Sequence, residues 1–200
     1  YGTGMTPFYT VLSLWVGLLL LASMLTVEAE GEYSAASQYF GKMLLFMTIA
    51  IIQAIIVSLG DLYVLKIYCV NPALFVLSSV FTSIIFTFIL YSLCSVLGNV
   101  GKVLGIVLLV LQIGGSGGTF PIQLTPKFFQ AINPFLPFTY AISLARESIG
   151  GVVQSVLVKD IVVLLIFGAI FILISLFLKK PINKLLHGFA ESIEKSGIGE

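Results

Sequence analysis

Few residues in this sequence could carry chemistry, and their spacing rules most of it out. The one histidine, His187, lies among Leu185, Leu186 and Phe189. A nucleophilic relay needs a base, an orienting acid and a nucleophile in one place, and this histidine assembles no such set. Gly98-Asn-Val-Gly-Lys102 looks like the second half of a phosphate-binding loop. The full pattern requires glycine at 96 and a hydroxyl residue at 103, where this chain has Val96 and Val103. The run also follows an apolar helix, not a strand, so ATP binding by this loop is excluded. The two cysteines, Cys69 and Cys94, stand near opposite ends of an apolar run. A helix rises about 1.5 Å per residue, which separates the thiols too far for a disulfide. No metal-ligand spacing is present. The expectation is therefore no catalytic residue, no cofactor site and no metal site.

The remaining polar groups form sets with other uses. Ser79, Ser83, Thr87, Tyr91 and Ser95 recur at i+4 and wind slowly around one helix. Small hydroxyl residues let helices approach and hydrogen-bond across, so packing is the preferred reading; the wall of a transport path is the alternative. Arg146 and Glu147 are adjacent. They read as a local ion pair or an interfacial anchor, with a pair holding an outer gate as the alternative. The acidic run Glu28, Glu30, Glu32, followed by Tyr33 and Gln38, is the best candidate for contact with another protein; a solvated loop is the alternative.

The elements that position these sets are apolar helices. The 200 residues are 58% hydrophobic and 10% charged, with mean hydropathy +1.12; a soluble domain is about 25% charged. This is an integral membrane protein. Its net charge of +1 leaves no basic face for nucleic acid. A helical span needs roughly 20 apolar residues. The runs that qualify are about 8–27, 43–62, 73–97, 103–120 and 160–178. Trp15 falls near mid-span, away from the interface that Trp favours, so it is expected to pack against another helix. Almost no ionisable group lies within a span, Asp61 being closest, which argues against a proton-coupled carrier or cation channel. The tail 181–200 places Ile182, Leu185, Leu186, Phe189 and Ile193 on one helical face, as in an amphipathic surface helix.

An odd number of spans puts the two ends on opposite sides. Lys42, Lys102, Lys179, Lys180, Lys184 and Lys195 fall on the tail's side, against Lys66, Lys127, Arg146 and Lys159 on the other. The positive-inside rule then makes the tail cytoplasmic. The sequence begins at Tyr1, without a signal-like start, and reads as a piece of a longer protein.

Between the fourth and fifth runs, 119–151 is too apolar for a plain loop and too rich in proline for one span. Glycines at 114–118 break the preceding helix, and Pro121, Pro126, Pro134 and Pro137 punctuate the chain beyond them. Short helices at a membrane boundary fit this pattern. Gly117-Gly118-Thr-Phe120-Pro121, then Phe128-Phe129, Pro134, Leu136-Pro137-Phe138-Thr-Tyr140 and Arg146-Glu147 resemble the signature of the C-terminal membrane domain of the YhgE/Pip (phage infection protein) family. That family is similar to type-2 ABC exporter permeases, and the resemblance covers nearly the whole chain.

The resemblance implies an all-α polytopic bacterial cell-membrane protein, with five spans here and one more upstream. It implies short re-entrant or outer helices between the fourth and fifth spans that cap the path as an outer gate, carrying Gly117, Gly118, Phe120, Pro121, Pro134, Pro137, Arg146 and Glu147. It implies that the stretch 28–42 is a cytoplasmic coupling loop. The function expected is a permease module, a homodimer in membrane lipids, with ATP hydrolysed by a separate subunit. The alternative is an anchor or scaffold for a phage-receptor or type VII secretion accessory protein without transport of its own.

Overall fold

The computed structural model describes the backbone of residues 2–25 and 35–196, and the side chains of 2–25 and 39–178. Among the described residues every regular element is a helix. In order these are α1 (Gly2–Met24), α2 (Ala35–Leu59, continued by a π-helical turn Gly60–Val64), α3 (Pro72–Leu97), α4 (Asn99–Gly115), α5 (Lys127–Ile132), α6 (Pro137–Gly150) and α7 (Gln154–Ser196). Single 3-10 turns, Ile122–Leu124 and Asn133–Phe135, flank α5.

Glycine and proline set the ends. Pro72 opens α3 at its first turn, where its missing N–H costs nothing. Gly98, at φ +57, turns α3 directly into α4. A Cβ on Gly101 would lie 2.1 Å from the Leu93 carbonyl oxygen, so the hairpin closes only because that position is bare. Pro137 opens α6, and Gly151, at φ +122, closes it. Only α3 keeps nearly the bounds of its apolar run: α1 runs Gly2–Met24, α2 starts at Ala35, α4 starts at Asn99 and stops at Gly115, and α7 starts at Gln154. The α7 backbone also continues through Pro181. Side chains of the tail 181–200 lie outside the described residues.

Among the described residues four helical segments are long and apolar enough to cross a membrane: Gly2–Met24, Tyr39–Val64, Pro72–Leu97 and Gln154–Leu178. The segment Asn99–Gly115 is apolar but shorter.

The bundle is built around α3, which touches α1, α2, α4, α6 and α7. Its core is aromatic. Trp15 on α1, Phe86 on α3 and Phe138 on α6 are each essentially unexposed. Trp15 meets Phe86 edge-on at 4.9 Å and Phe138 at 5.5 Å, and the two phenylalanines stack at 5.4 Å. Such pairs add roughly 0.5–1.5 kcal/mol each beyond burial. Trp15 Nε1 donates to the Gly105 carbonyl of α4 at 3.2 Å, so the ring packs inside the bundle as its mid-span position predicts.

Candidate functional site

The segment from Ser116 to Val153 folds over one end of the bundle as a crown. The start of α1, the end of α2 and the start of α3 lie at that same end. Tyr68 N–H reaches Thr3 Oγ1, while Val70 and Asn71 N–H donate to the Ile149 and Ser148 carbonyls. Within the crown, α6 is a structural wedge. Its apolar face (Phe138, Ala141, Ile142, Ala145, Ile149) is buried, and α6 packs against α1, α3, α4 and α7.

The crown is fastened to α4 through small residues and amide side chains. The Phe129 ring covers Gly114, at 2.8 Å from where a Cβ would stand, and Leu136 covers Gly115 at 2.6 Å. Asn133 Nδ2 donates to the Gly115 carbonyl at 2.7 Å and to Thr139 Oγ1 at 3.0 Å. Tyr140 OH donates to the Pro134 carbonyl at 2.9 Å. Burial, then the nearby Asp160 carboxylate, pushes the Tyr140 phenol above its ordinary range. Gln112 is fully buried, and its Oε1 accepts the Phe138 N–H at 3.2 Å. That bond satisfies a free backbone donor at the first turn of α6.

Arg146 closes the arrangement. Its Nη2 donates to the Gly117 and Gly118 carbonyls, both at 3.1 Å, and so pins the glycine turn at the end of α4 onto α6. Burial lowers the guanidinium pKa from its usual value; an arginine so placed still carries its charge. Gly118 must lack a side chain, because its Cβ would meet Phe8 of α1 at 2.4 Å and Ile142 of α6 at 2.9 Å. Glu147 turns the other way and accepts the Val153 N–H, capping the start of α7. The neighbours Arg146 and Glu147 therefore tie two different joints. Of the other candidate gate residues, Pro137 is buried, whereas Phe120, Pro121 and Pro134 are exposed.

The hydroxyl stripe of α3 lies inside the bundle. Ser83 Oγ donates to the Ala50 carbonyl of α2 at 3.0 Å, and Tyr91 OH to the Tyr39 carbonyl at 2.9 Å. Ser79 and Thr87 bond back to the carbonyls of Phe75 and Ser83 within α3, each at 2.8 Å. Ser79, Ser83, Thr87 and Tyr91 are all buried, and Ser95 is half-buried. Tyr39 OH and Ser92 Oγ share a further bond at 2.8 Å. This geometry joins helices and leaves these groups little to offer a passing solute.

Other polar groups lie outside the motifs read from the sequence. The Thr10 hydroxyl donates to Asp61 Oδ2, joining α1 to the π-helical turn. Asp160 is 2% exposed, with Oδ2 unpartnered among the described residues. Gln112 stands out in sequence as the lone amide in an apolar run, and that signal could have marked it. Among the described residues no group of three or more His, Cys, Asp or Glu side chains could hold a metal ion. A cavity of about 60 Å³ between α3 and α7, lined by Ser92, Val96, Phe171 and Ile174 among others, is small beside ligand pockets of roughly 300 Å³ or more. Glu28, Glu30, Glu32 and Tyr33 lie outside the described residues, as does the Gln38 side chain; the Gln38 backbone is in the first turn of α2.

Comparison with known proteins supplies the remaining evidence. Residues 1–177 match the family described as ABC-2 family transporter protein. An uncharacterised protein of Bacillus subtilis (strain 168), YhgE, is 36% identical over 151 residues, covering 74% of this chain. The chain spans 20% of that relative's length. No solved structure matches.

Proposed function

We propose, from the premise that this chain belongs to the ABC-2 family of transporter membrane proteins and is a YhgE/Pip-like permease domain within it, that it moves a substrate across the cell membrane while a separate subunit hydrolyses ATP. The family match across residues 1–177 carries this reading. The geometry supports it in one respect: one end of the bundle is closed by a crown that packs on α4 through Gly114 and Gly115 and is tied to the glycine turn by Arg146, as suits a cap over a path.

In this reading α4 is also a crossing, the fourth in chain order, and the crown is the outer gate between it and α7, the fifth. The gate residues divide by role. Gly117, Gly118 and Arg146 form the catch, Pro137 and Glu147 set the two ends of the α6 wedge, and Phe120, Pro121 and Pro134 form its outer surface. The end of α7 faces the cytoplasm, following the lysine bias. The stretch 28–42 joins α1 to α2 on that same side, where Glu28, Glu30, Glu32, Tyr33 and Gln38 meet the ATP-hydrolysing subunit. Two copies in membrane lipids form the working unit, since the hydroxyl stripe is used in packing and a single bundle leaves few polar groups for a path. The substrate class that suits so apolar a wall is hydrophobic or lipid-linked.

That same scarcity of free polar groups supports a second reading, a membrane anchor or scaffold without transport, holding a domain that phage or secretion partners recognise. Purification of the full-length protein separates the two. The permease reading expects a co-purifying P-loop ATPase, lost when Glu28, Glu30 and Glu32 are replaced by lysine. A protein that brings down no ATPase, and whose function survives those three changes, would be the anchor.

A further inference from the structure

A hydroxyl or amide buried in a helical bundle is normally satisfied there, because a bare one costs as much as a lost hydrogen bond. This chain follows that habit at Thr6, Ser23, Ser79, Thr87 and Ser148, whose hydroxyls bond back to the carbonyl four residues earlier. Among the described residues four buried side-chain atoms have no partner: Gln112 Nε2, Ser116 Oγ, Asp160 Oδ2 and Ser175 Oγ. The first two are set apart by position. Gln112 and Ser116 stand one turn apart at the end of α4, 0% and 5% exposed, where the crown is seated.

The seating itself produces the first bare atom. Phe138 N–H, in the first turn of α6, has no acceptor within its own helix and donates to Gln112 Oε1 at 3.2 Å. An amide carries its oxygen and its NH2 on opposite sides of one plane. The bond that satisfies Phe138 therefore fixes Nε2 where no acceptor stands. Turning the amide over would set NH2 against N–H and leave Phe138 bare instead. Ser116 is held close by. Its N–H donates to the Gln112 carbonyl at 3.0 Å, and the next residue, Gly117, turns at φ +67 into the carbonyls that Arg146 grips. Between the two, Gly115 receives Leu136 against its bare α-carbon and the Asn133 amide on its carbonyl. The contacts that fasten the crown and the two bare polar atoms thus share the last turn of α4.

We propose that the crown closes against a standing polar cost at this seat. Gln112 Nε2 and Ser116 Oγ are dry and unpartnered while α6 is down and gain water partners when it lifts, so the pair biases the cap toward opening. Arg146, Asn133 and the Phe129 and Leu136 contacts oppose that bias. The proposal rests on reading the crown as a cap that lifts. It gives one substitution an unusual sign. Most changes in a packed region loosen it, whereas deleting a bare hydroxyl relieves the closed form and removes no bond from it.

The test is segment-resolved amide hydrogen exchange of the full-length protein in phosphatidylcholine vesicles, read for 136–142 and, as reference, for 83–90 in the core of α3. Ser116→Ala is expected to slow exchange in 136–142 about tenfold and to leave 83–90 unchanged. Asn133→Ala removes a partnered amide from the same seat and is expected to speed exchange there by about the same factor. Gln112→Met removes the bare donor together with the acceptor of Phe138 N–H. These effects oppose each other, and a shift of less than about threefold is expected. If 136–142 in the parent exchanges no faster than 83–90, the crown does not lift and the proposal falls with that reading. If it exchanges faster but Ser116→Ala leaves the rate unchanged or raises it, the crown lifts and Ser116 is satisfied where it stands, as by an internal water; the polar bias is then refuted. Exchange in Gln112→Met as fast as in Asn133→Ala would refute the share assigned to Gln112.

Discussion

Helices α3 and α4 are joined by a single glycine, Gly98, and are both strongly apolar, yet they are used in opposite ways. The hydroxyls of α3 point inward and bond to α2 or to α3's own carbonyls. The valines of α4 point outward, and Gly101, Gly105 and Gly115 face the bundle. The difference teaches what drives packing in a bilayer. Lipid tails are as apolar as valine, so burying valine between helices gains little over leaving it in lipid. Close approach and hydrogen bonding do favour contact, so small and hydroxyl residues take the interior. The inward positions of α4 are thus marked by small size and polarity, and those of α3 by hydroxyl residues set among aromatic and branched ones.

The contrast can be broken most forcefully at its aromatic centre. Trp15→Ala removes the ring that joins α1, α3, α4 and α6 and is expected to cost about 3–5 kcal/mol, read as a large fall in thermal midpoint in detergent. Val107→Ala on the outer face of α4 is expected to cost no more than about 0.5 kcal/mol. Equal effects would mean that α4's outer face is buried in the working protein.

Gly101→Ala tests the join itself. The added methyl meets backbone, the Leu93 carbonyl, so overpacking of about 1–3 kcal/mol is expected, with α4 displaced from α3. An unchanged midpoint would mean the hairpin is not held at that contact.

Arg146→Gln tests the crown fastened to α4. Loss of a charged donor from two carbonyls, one of them in an exposed setting, is expected to cost about 1–2 kcal/mol. The more specific readout is faster protease cleavage near Gly117 and Gly118 with the remainder of the bundle intact. Cleavage at the unaltered rate would remove Arg146 from its proposed role as the catch.

The cysteines give the smallest effect and the sharpest contrast of inside with edge. Cys94 is buried on α3 and is expected not to react with a water-soluble maleimide. Cys69, in the connection before α3, is half-buried, and its thiol donates to the Ser148 carbonyl at 3.4 Å. Burial pushes its pKa up, and the backbone at Asn71 only partly offsets this. The thiolate is the reactive form, so labelling should be slow at neutral pH and accelerate as pH rises through a value above the ordinary thiol range. A rate already at its plateau at neutral pH would contradict the burial.

The membrane character and most helices were legible in the sequence because a span must be a long apolar run, whatever its neighbours. The i+4 spacing of Ser79, Ser83, Thr87 and Tyr91 showed a shared face, but Ala50 and Tyr39 as partners come only from the tertiary arrangement. The proline-punctuated segment 119–151 was readable as short helices. That α6 is buried against α1, α3, α4 and α7 was not, because Arg146 and Glu147 give it the polarity of a surface helix. Local charge could not reveal that one side chain pins glycine carbonyls and the other caps α7. The end of α4 was displaced for a similar reason: Gly114 and Gly115 extend an apolar pattern while the backbone prepares to turn.

Whether α4 crosses the membrane decides the account, since the side on which the crown and the tail lie depends on it. The direct measurement is labelling of the full-length protein in intact cells with a membrane-impermeant maleimide, using Cys69→Ser as background and single cysteines at Asn99 and Lys127. With α4 crossing, Lys127→Cys is expected to label in intact cells and Asn99→Cys only after permeabilisation. Labelling of both from the same side would show that α4 does not cross, and would contradict the permease topology proposed for this chain.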